Sequence, residues 1–156
     1  MRHEEFQPRL SNLIGAQVFN KFIVTNSIVL WVNAPVKMPN SKCLWIDPPW
    51  RLEDQGSITT TSASFPYDQE DGESEDSFKA RFAEICTASD NIENTTILDI
   101  TMNPRTSDLT IQFSNGKTLR TFTVWTEEEN WFLSDYETKQ KFSIATNETT
   151  VSSLNA

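Results

Sequence analysis

The sequence predicts an α+β domain built of two tandem repeats, each a helix followed by antiparallel strands. An apolar stripe with helical spacing occurs twice, 72 positions apart, as Phe6, Leu10, Leu13 and Ile14 and then as Phe78, Phe82, Ile85 and Cys86. A strand-like segment also occurs twice, 81 positions apart, as Trp50-Arg51-Leu52 and Trp131-Phe132-Leu133. These echoes predict repeats over 5–53 and 76–135, an acidic linker over 54–75 and a polar tail over 147–156 that frays. We expect the two helices to cover a β-rich core with pseudo-twofold symmetry.

The composition indicates a single globular domain with reduced cysteines. With 156 residues, 37% of them hydrophobic, the chain can fold as a single domain without a metal or a disulfide. Cys43 and Cys86 lie in apolar patterns, so we expect buried, reduced thiols. The sequence has no apolar run of the length of a signal peptide or membrane span, and we therefore expect a cytoplasmic protein.

The first repeat is predicted from apolar periodicity. Its stripe indicates a helix over 5–14. Residues 18–32 are rich in Val, Ile and Phe around the polar break Thr25-Asn26-Ser27, which is typical of a β-hairpin. A strand over 43–46 and the segment over 50–52 complete the repeat.

The linker between the repeats contains two different segments. A Ser/Thr-rich run over 58–64 could form an edge strand, whereas the acidic run over 68–76 has no apolar period. Ser74 or Asp76 is placed to cap the second helix, which we predict over 76–88.

The second repeat has clearer strand signals. Strands are predicted over 97–100 and 109–113, and the dipeptide Asn115-Gly116 predicts a type I′ turn because both residues accept positive φ. The strand over 119–125 would then pair back, and 141–144 offers one last short strand.

The net charge of −9 constrains the partner. A field of that sign repels phosphate backbones and anionic lipids, so we expect neither nucleic acid nor a membrane as partner. It attracts a basic protein. The alternative is that the acidic balance only keeps the chain soluble.

Residues that carry catalysis are scarce. His3 is the single imidazole and lies near the chain end, so Ser/His/Asp and Cys/His arrangements lack their base. Four glycines do not form a phosphate-binding loop, and two cysteines with one histidine do not make a zinc site. We therefore expect no cofactor and no metal. A carboxylate enzyme stays open as an alternative, with these candidates: Asp47, Asp99, Asp108, Glu128 and Glu129.

The candidate partner-binding residues are acidic or aromatic: Asp68, Glu70, Asp71, Glu73, Glu127, Glu128, Glu129 and Trp125. Carboxylates would steer a basic partner and aromatic side chains would slow its dissociation. Four tryptophans fit either an interface or the core, and strand alternation favours the core: Trp31, Trp45, Trp50 and Trp125.

Three segments resemble small uncharacterised bacterial domains, of the kind found among toxin-immunity proteins: Leu44 to Leu52, Asp108 to Leu119 and Glu129 to Leu133. The resemblance covers most of residues 10–135 and implies a fold, but it transfers no site residue. With the charge, it predicts a non-enzymatic inhibitor of a basic protein such as a toxin or nuclease domain. One alternative is a structural or regulatory domain that self-associates through a sheet edge as a homodimer. The other is a small carboxylate-based enzyme.

Overall fold

Alternating apolar residues place two antiparallel sheets face to face around one core, and the predicted α+β class is confirmed. The computed structural model describes residues 1–155. The helices are α1 (His3–Ser11) and α2 (Glu75–Thr87). The strands are β1 (Val18–Val24), β2 (Ser27–Val32), β3 (Lys42–Ile46), β4 (Trp50–Asp54), β5 (Ser57–Thr61), β6 (Ile97–Met102), β7 (Leu109–Phe113), β8 (Lys117–Thr121), β9 (Trp131–Asp135), β10 (Gln140–Ile144) and β11 (Thr149–Ser153). Neither helix in this part of the chain has the length and apolar character needed to cross a membrane.

The two sheets have the same connectivity. One has the strand order β1-β2-β3-β9-β10-β11 and the other, counted from β6, has the order β6-β7-β8-β4-β5. Each half of the chain therefore gives its first three strands to one sheet and its remaining strands to the opposite sheet, two (β4 and β5) in the first half and three (β9 to β11) in the second. This matches the predicted repeats in topology. The duplication itself and the pseudo-twofold axis stay predictions, which a superposition of the two halves would test.

Two buried tryptophans occupy equivalent places in this topology. Trp50 begins β4 and Trp131 begins β9, the two strands that cross into the opposite sheet. The indole Nε1 of Trp50 donates to the carbonyl of Asn26 (2.8 Å) in the turn between β1 and β2. The indole of Trp131 donates to the carbonyl of Ser107 (3.0 Å) in the turn between β6 and β7. Each indole therefore fixes the first hairpin of the sheet that its own strand faces, and neither N–H is left unpaired in the core.

Helix α1 lies deep in the core. Phe6 packs against Trp131 and Phe142, with ring centroids 6.0 and 5.2 Å away, and Gln7 bonds to the backbone of β6. The helix begins at His3, two residues before the predicted start, and His3 is buried against the turn that contains Ser107 rather than lying free at the chain end.

Two predictions about connecting segments are wrong. Asn115-Gly116 does not form a type I′ turn, because only Gly116 has a positive φ (85°); the three-residue loop is a turn followed by one left-handed residue. The tail does not fray after Asn147, because β11 pairs with β10 and with the backbone of Met1. The Ser/Thr-rich run forms the edge strand β5, which the sequence analysis allowed, and residues 65–74 after it are irregular. Ala156 lies outside the described residues.

The crossing tryptophans generate the first prediction. Replacing either Trp50 or Trp131 by Ala should lower the free energy of unfolding by about 3–5 kcal/mol, because each substitution leaves a cavity and an unpaired carbonyl. Urea denaturation measures the loss. Trp125→Ala is the control, since that side chain is 52% exposed and its loss should change stability by less than about 0.5 kcal/mol. A loss below about 1 kcal/mol at Trp131 would contradict the role assigned to it.

Candidate functional site

The acidic run lies in the loop that leads into α2. Asp68, Glu70 and Asp71 are exposed there, as a partner-binding role requires. Glu73 differs, because its side chain is only 11% exposed and both of its oxygens accept hydrogen bonds from Arg81, at 2.8 and 3.0 Å. The hydrogen bonds from Arg81 lower the pKa of Glu73 below its usual range. Glu73 therefore fixes the loop on the helix. Glu70 makes a longer ion pair with the same arginine (3.6 Å) but is 75% exposed, so it remains accessible to a partner together with Asp68 and Asp71.

Helix α2 is seated less deeply than α1. The side chains of Phe6, Leu10 and Leu13 in the first half are fully buried, whereas no residue of α2 is buried. Its apolar stripe is half-buried and borders an open groove of about 550 Å³ between the helix, β1 and residues 66–67. The groove is lined chiefly by apolar side chains: Ile23, Pro66, Tyr67, Phe78, Phe82 and Ala83.

Both ends of α2 are anchored, although its flank is open. At its start, Ser74 accepts a hydrogen bond from the Ser77 amide (3.1 Å) and caps the helix, as predicted. At its end, the buried ammonium of Lys21 on β1 donates to the Cys86 carbonyl (3.0 Å) and to Asp90 (2.7 Å). A cation at this position also complements the helix dipole. The groove is therefore a fixed feature between two tethered helix ends.

The rim of the groove carries a concentrated negative charge. Residues 66–86 contain seven acidic and two basic side chains, a net of −5, which is more than half of the −9 of the whole chain. The two cations are engaged locally, because Lys79 pairs with Glu75 (2.7 Å) and Arg81 pairs with Glu73. Lys79 itself lines the groove, whereas the acidic side chains lie in the surrounding segment over 66–86, which we call the acidic rim. The groove thus combines an apolar floor with an acidic surrounding segment, and we call it the α2 groove.

The second predicted acidic cluster lies elsewhere. Glu127 and Glu128 are exposed in the loop before β9, and Trp125 in the same loop is 52% exposed. Glu129 pairs with Lys141 at 3.1 Å. Among residues 1–155, no hydrogen bond or ion pair joins this loop to the acidic run, so the predicted site residues form two separate groups.

An aromatic surface that the sequence analysis missed covers the outer face of the six-stranded sheet. Trp50 is in the core as favoured, but Trp31 and Trp45 lie half-buried on this outer face. Trp31 stacks on Tyr136 and Trp45 stacks on Phe132, each pair with centroids 5.8 Å apart. The signal for this surface is the uninterrupted apolar run Ile28 to Val32, which lacks the polar alternation of a strand with one solvated face. Below, we call this surface the aromatic face.

Three of the five carboxylates of the alternative enzyme hypothesis, those of Asp47, Asp108 and Glu129, are each engaged by different partners. Asp47 accepts hydrogen bonds from Ser27 Oγ (2.6 Å) and Trp45 Nε1 (2.9 Å), and Asp108 accepts from Thr106 Oγ1 (2.8 Å). No group of three or more His, Cys, Asp or Glu side chains within the described residues could hold a metal ion. The surfaces that the fold does provide, the α2 groove and the aromatic face, suit binding.

Each of the two cysteines lies at one of these surfaces, so the reactivity of its thiol measures how accessible that surface is. Cys86 lines the α2 groove and Cys43 lies beneath the aromatic face. Burial raises the pKa of the Cys43 thiol to about 12 and also raises the pKa of Cys86.

The difference in burial predicts different reactivities of the two thiols. In the folded protein near pH 8, a thiol reagent should modify Cys86 first, although more slowly than a free thiol. It should modify Cys43 only after the protein is unfolded in urea. Mass spectrometry of the modified peptides measures both rates, and equal rates in the folded state would contradict the assigned burial.

Comparison of the chain with protein-family models, with curated proteins and with solved structures finds no match, so its function is argued from the geometry alone.

Proposed function

We propose that this chain is a non-enzymatic binding protein that takes a basic partner protein in the α2 groove. The observation that carries the proposal is the combination of an open apolar floor with a rim that holds net charge −5. The leading use of such binding is inhibition, as in an immunity or antitoxin-like protein that blocks a basic toxin or nuclease domain.

The two parts of the groove act on different stages of binding. The acidic rim raises the rate of encounter with a cation-rich surface, and salt weakens this contribution. The apolar floor favours the bound state, because filling it removes the half-exposed side chains of Phe78 and Phe82 from water. One apolar anchor that becomes fully buried contributes about 1.5–3 kcal/mol.

The shape of the groove favours a partner segment that is amphipathic. A groove beside a helix accepts another helix through apolar side chains at i, i+3 or i+4. Basic side chains on the flanks of that segment would meet Asp68, Glu70 and Asp71. One short basic segment of the partner would therefore contact the apolar floor and the acidic rim at the same time.

A pair of synthetic peptides tests this proposal. The probe is a cationic amphipathic helix with Leu and Phe anchors on one face, and its control has the same charges with Ser and Gln in place of the anchors. We expect the probe to bind with an affinity that falls as salt rises and to protect Cys86 from a thiol reagent, because Cys86 lines the groove. Equal binding of both peptides would remove the apolar floor from the mechanism.

Charge neutralisation on the rim gives the matched variant. Asp68→Asn, Glu70→Gln and Asp71→Asn together should weaken probe binding about tenfold, since three screened charges contribute a few tenths of a kcal/mol to 1 kcal/mol each. Fluorescence anisotropy measures the change. Glu127→Gln with Glu128→Gln is the control and should leave affinity unchanged, while Glu73 is kept because it holds Arg81. Unchanged affinity in the triple variant would exclude the acidic run from binding.

The inhibitor hypothesis has a separate discriminator in the gene neighbourhood. A toxin gene next to this one supports inhibition. A metabolic operon supports the alternative of a small carboxylate-based enzyme.

A further inference from the structure

The outer faces of the two sheets carry opposite chemistry at equivalent positions. Strand pairing places one row of outward side chains across each sheet. In the five-stranded sheet the row is Thr101, Thr110, Arg120, Arg51 and Thr61. In the six-stranded sheet the row at the same strand positions is Phe22, Val29, Trp45, Phe132 and Ser143. The first row is polar and cationic, and the second is aromatic and aliphatic except for Ser143 at its end.

The five-stranded sheet shows what this fold presents to water. Arg51 and Arg120 both contact Glu53 at 2.8 Å, which forms a surface ion-pair network across two strands. The hydrogen bond from Arg51, together with the charges of both arginines, lowers the pKa of Glu53. The aromatic face has no such network, although it occupies the same place on the opposite sheet. A sheet face left to solvent carries alternating polar residues, so the aromatic face is built to be covered.

The aromatic face carries little charge within a strongly acidic chain. Of its two flanking carboxylates, Glu129 pairs with Lys141, and Asp47 keeps its charge but accepts hydrogen bonds from Ser27 and Trp45. Lys141 also lies over the Phe132 ring, 3.8 Å from its centroid. A basic partner would gain little charge attraction here, whereas the α2 groove offers it a net of −5.

We propose that the aromatic face is covered by the aromatic face of a second copy of this chain, in a twofold dimer. Two chains of charge −9 repel each other, and contact between them is least opposed through a face that carries few carboxylates. Two such faces would pack as sheets do in a sandwich, with the rows of aromatic side chains interdigitated. The proposal is independent of the one made for the α2 groove.

The size of the face indicates a weak, reversible dimer. Six strands about 4.8 Å apart and five residues of about 3.4 Å each give roughly 400 Å² in projection. Two copies would cover roughly 800 Å² in projection, which is at the low end for specific association. Phe22 and Ile23 are neighbours on β1 and point to opposite faces of the sheet, so the dimer leaves the α2 groove open.

Sedimentation equilibrium of the intact chain tests the dimer. We expect the weight-average mass of the wild-type chain to rise towards twice that of the monomer as concentration increases to about 1 mM, which detects a dissociation constant of that size. Added salt should leave dimerisation unchanged or strengthen it, because screening reduces repulsion between the copies. Binding of a basic probe peptide responds to salt in the opposite direction, so the two proposals fail independently.

The matched variants take their residues from the other sheet. Phe22→Thr and Trp45→Arg give the aromatic face the residues that the five-stranded sheet carries at the same positions, and each should weaken dimerisation at least tenfold. Phe22 is 48% exposed, so its replacement leaves the core intact. Trp125→Ser removes an exposed aromatic residue outside the face and should not change the mass. The proposal is overturned if the wild-type chain stays monomeric at about 1 mM, or if Phe22→Thr folds and dimerises like the wild type.

Discussion

The fold depends on two strands that leave their own half of the chain and complete the opposite sheet. Trp50 and Trp131 stand at the start of these strands, and each donates its indole N–H to the carbonyl of a hairpin turn. Burial of the two rings removes large apolar areas from water, and the hydrogen bonds fix their orientation. These two crossings complete both sheets, and the sheets in turn position the two helices and the outer surfaces.

The two halves share a connectivity but not a surface. In the first half, α1 closes over the core with fully buried side chains, while α2 remains on the flank with an open apolar groove. In the sheets, one outer face is charged and the other is aromatic. A comparison of equivalent positions in the two halves therefore separates the residues that the fold needs from the surface residues that differ between the halves. The additions are the acidic rim and the aromatic face, and both of them suit binding.

Much of the fold could be predicted from the sequence, because helices and hairpins depend on local spacing. The stripe of Phe78, Phe82 and Ile85 indicates α2 within one residue, and the polar break at Thr25-Asn26-Ser27 marks the first hairpin. The crossing of strands depends on pairing between Ile46 and Trp131, which are distant in the chain and show no local signal. The same limit applies to the candidate site. Glu73 belongs to the acidic run in the sequence, but it is largely buried because it pairs with Arg81 of α2, and the sequence does not show that contact.

The exchange of strands between the sheets also affects how the chain reaches its native state during synthesis. The meander β1 to β3 lacks its neighbour β9 until the second half has left the ribosome, and β4 likewise waits for β8. A polypeptide ending in the loop over 65–74 would therefore expose unfinished sheet edges. Cleavage of that loop in the folded protein would leave two fragments, neither holding a whole sheet, that can persist only as a noncovalent pair.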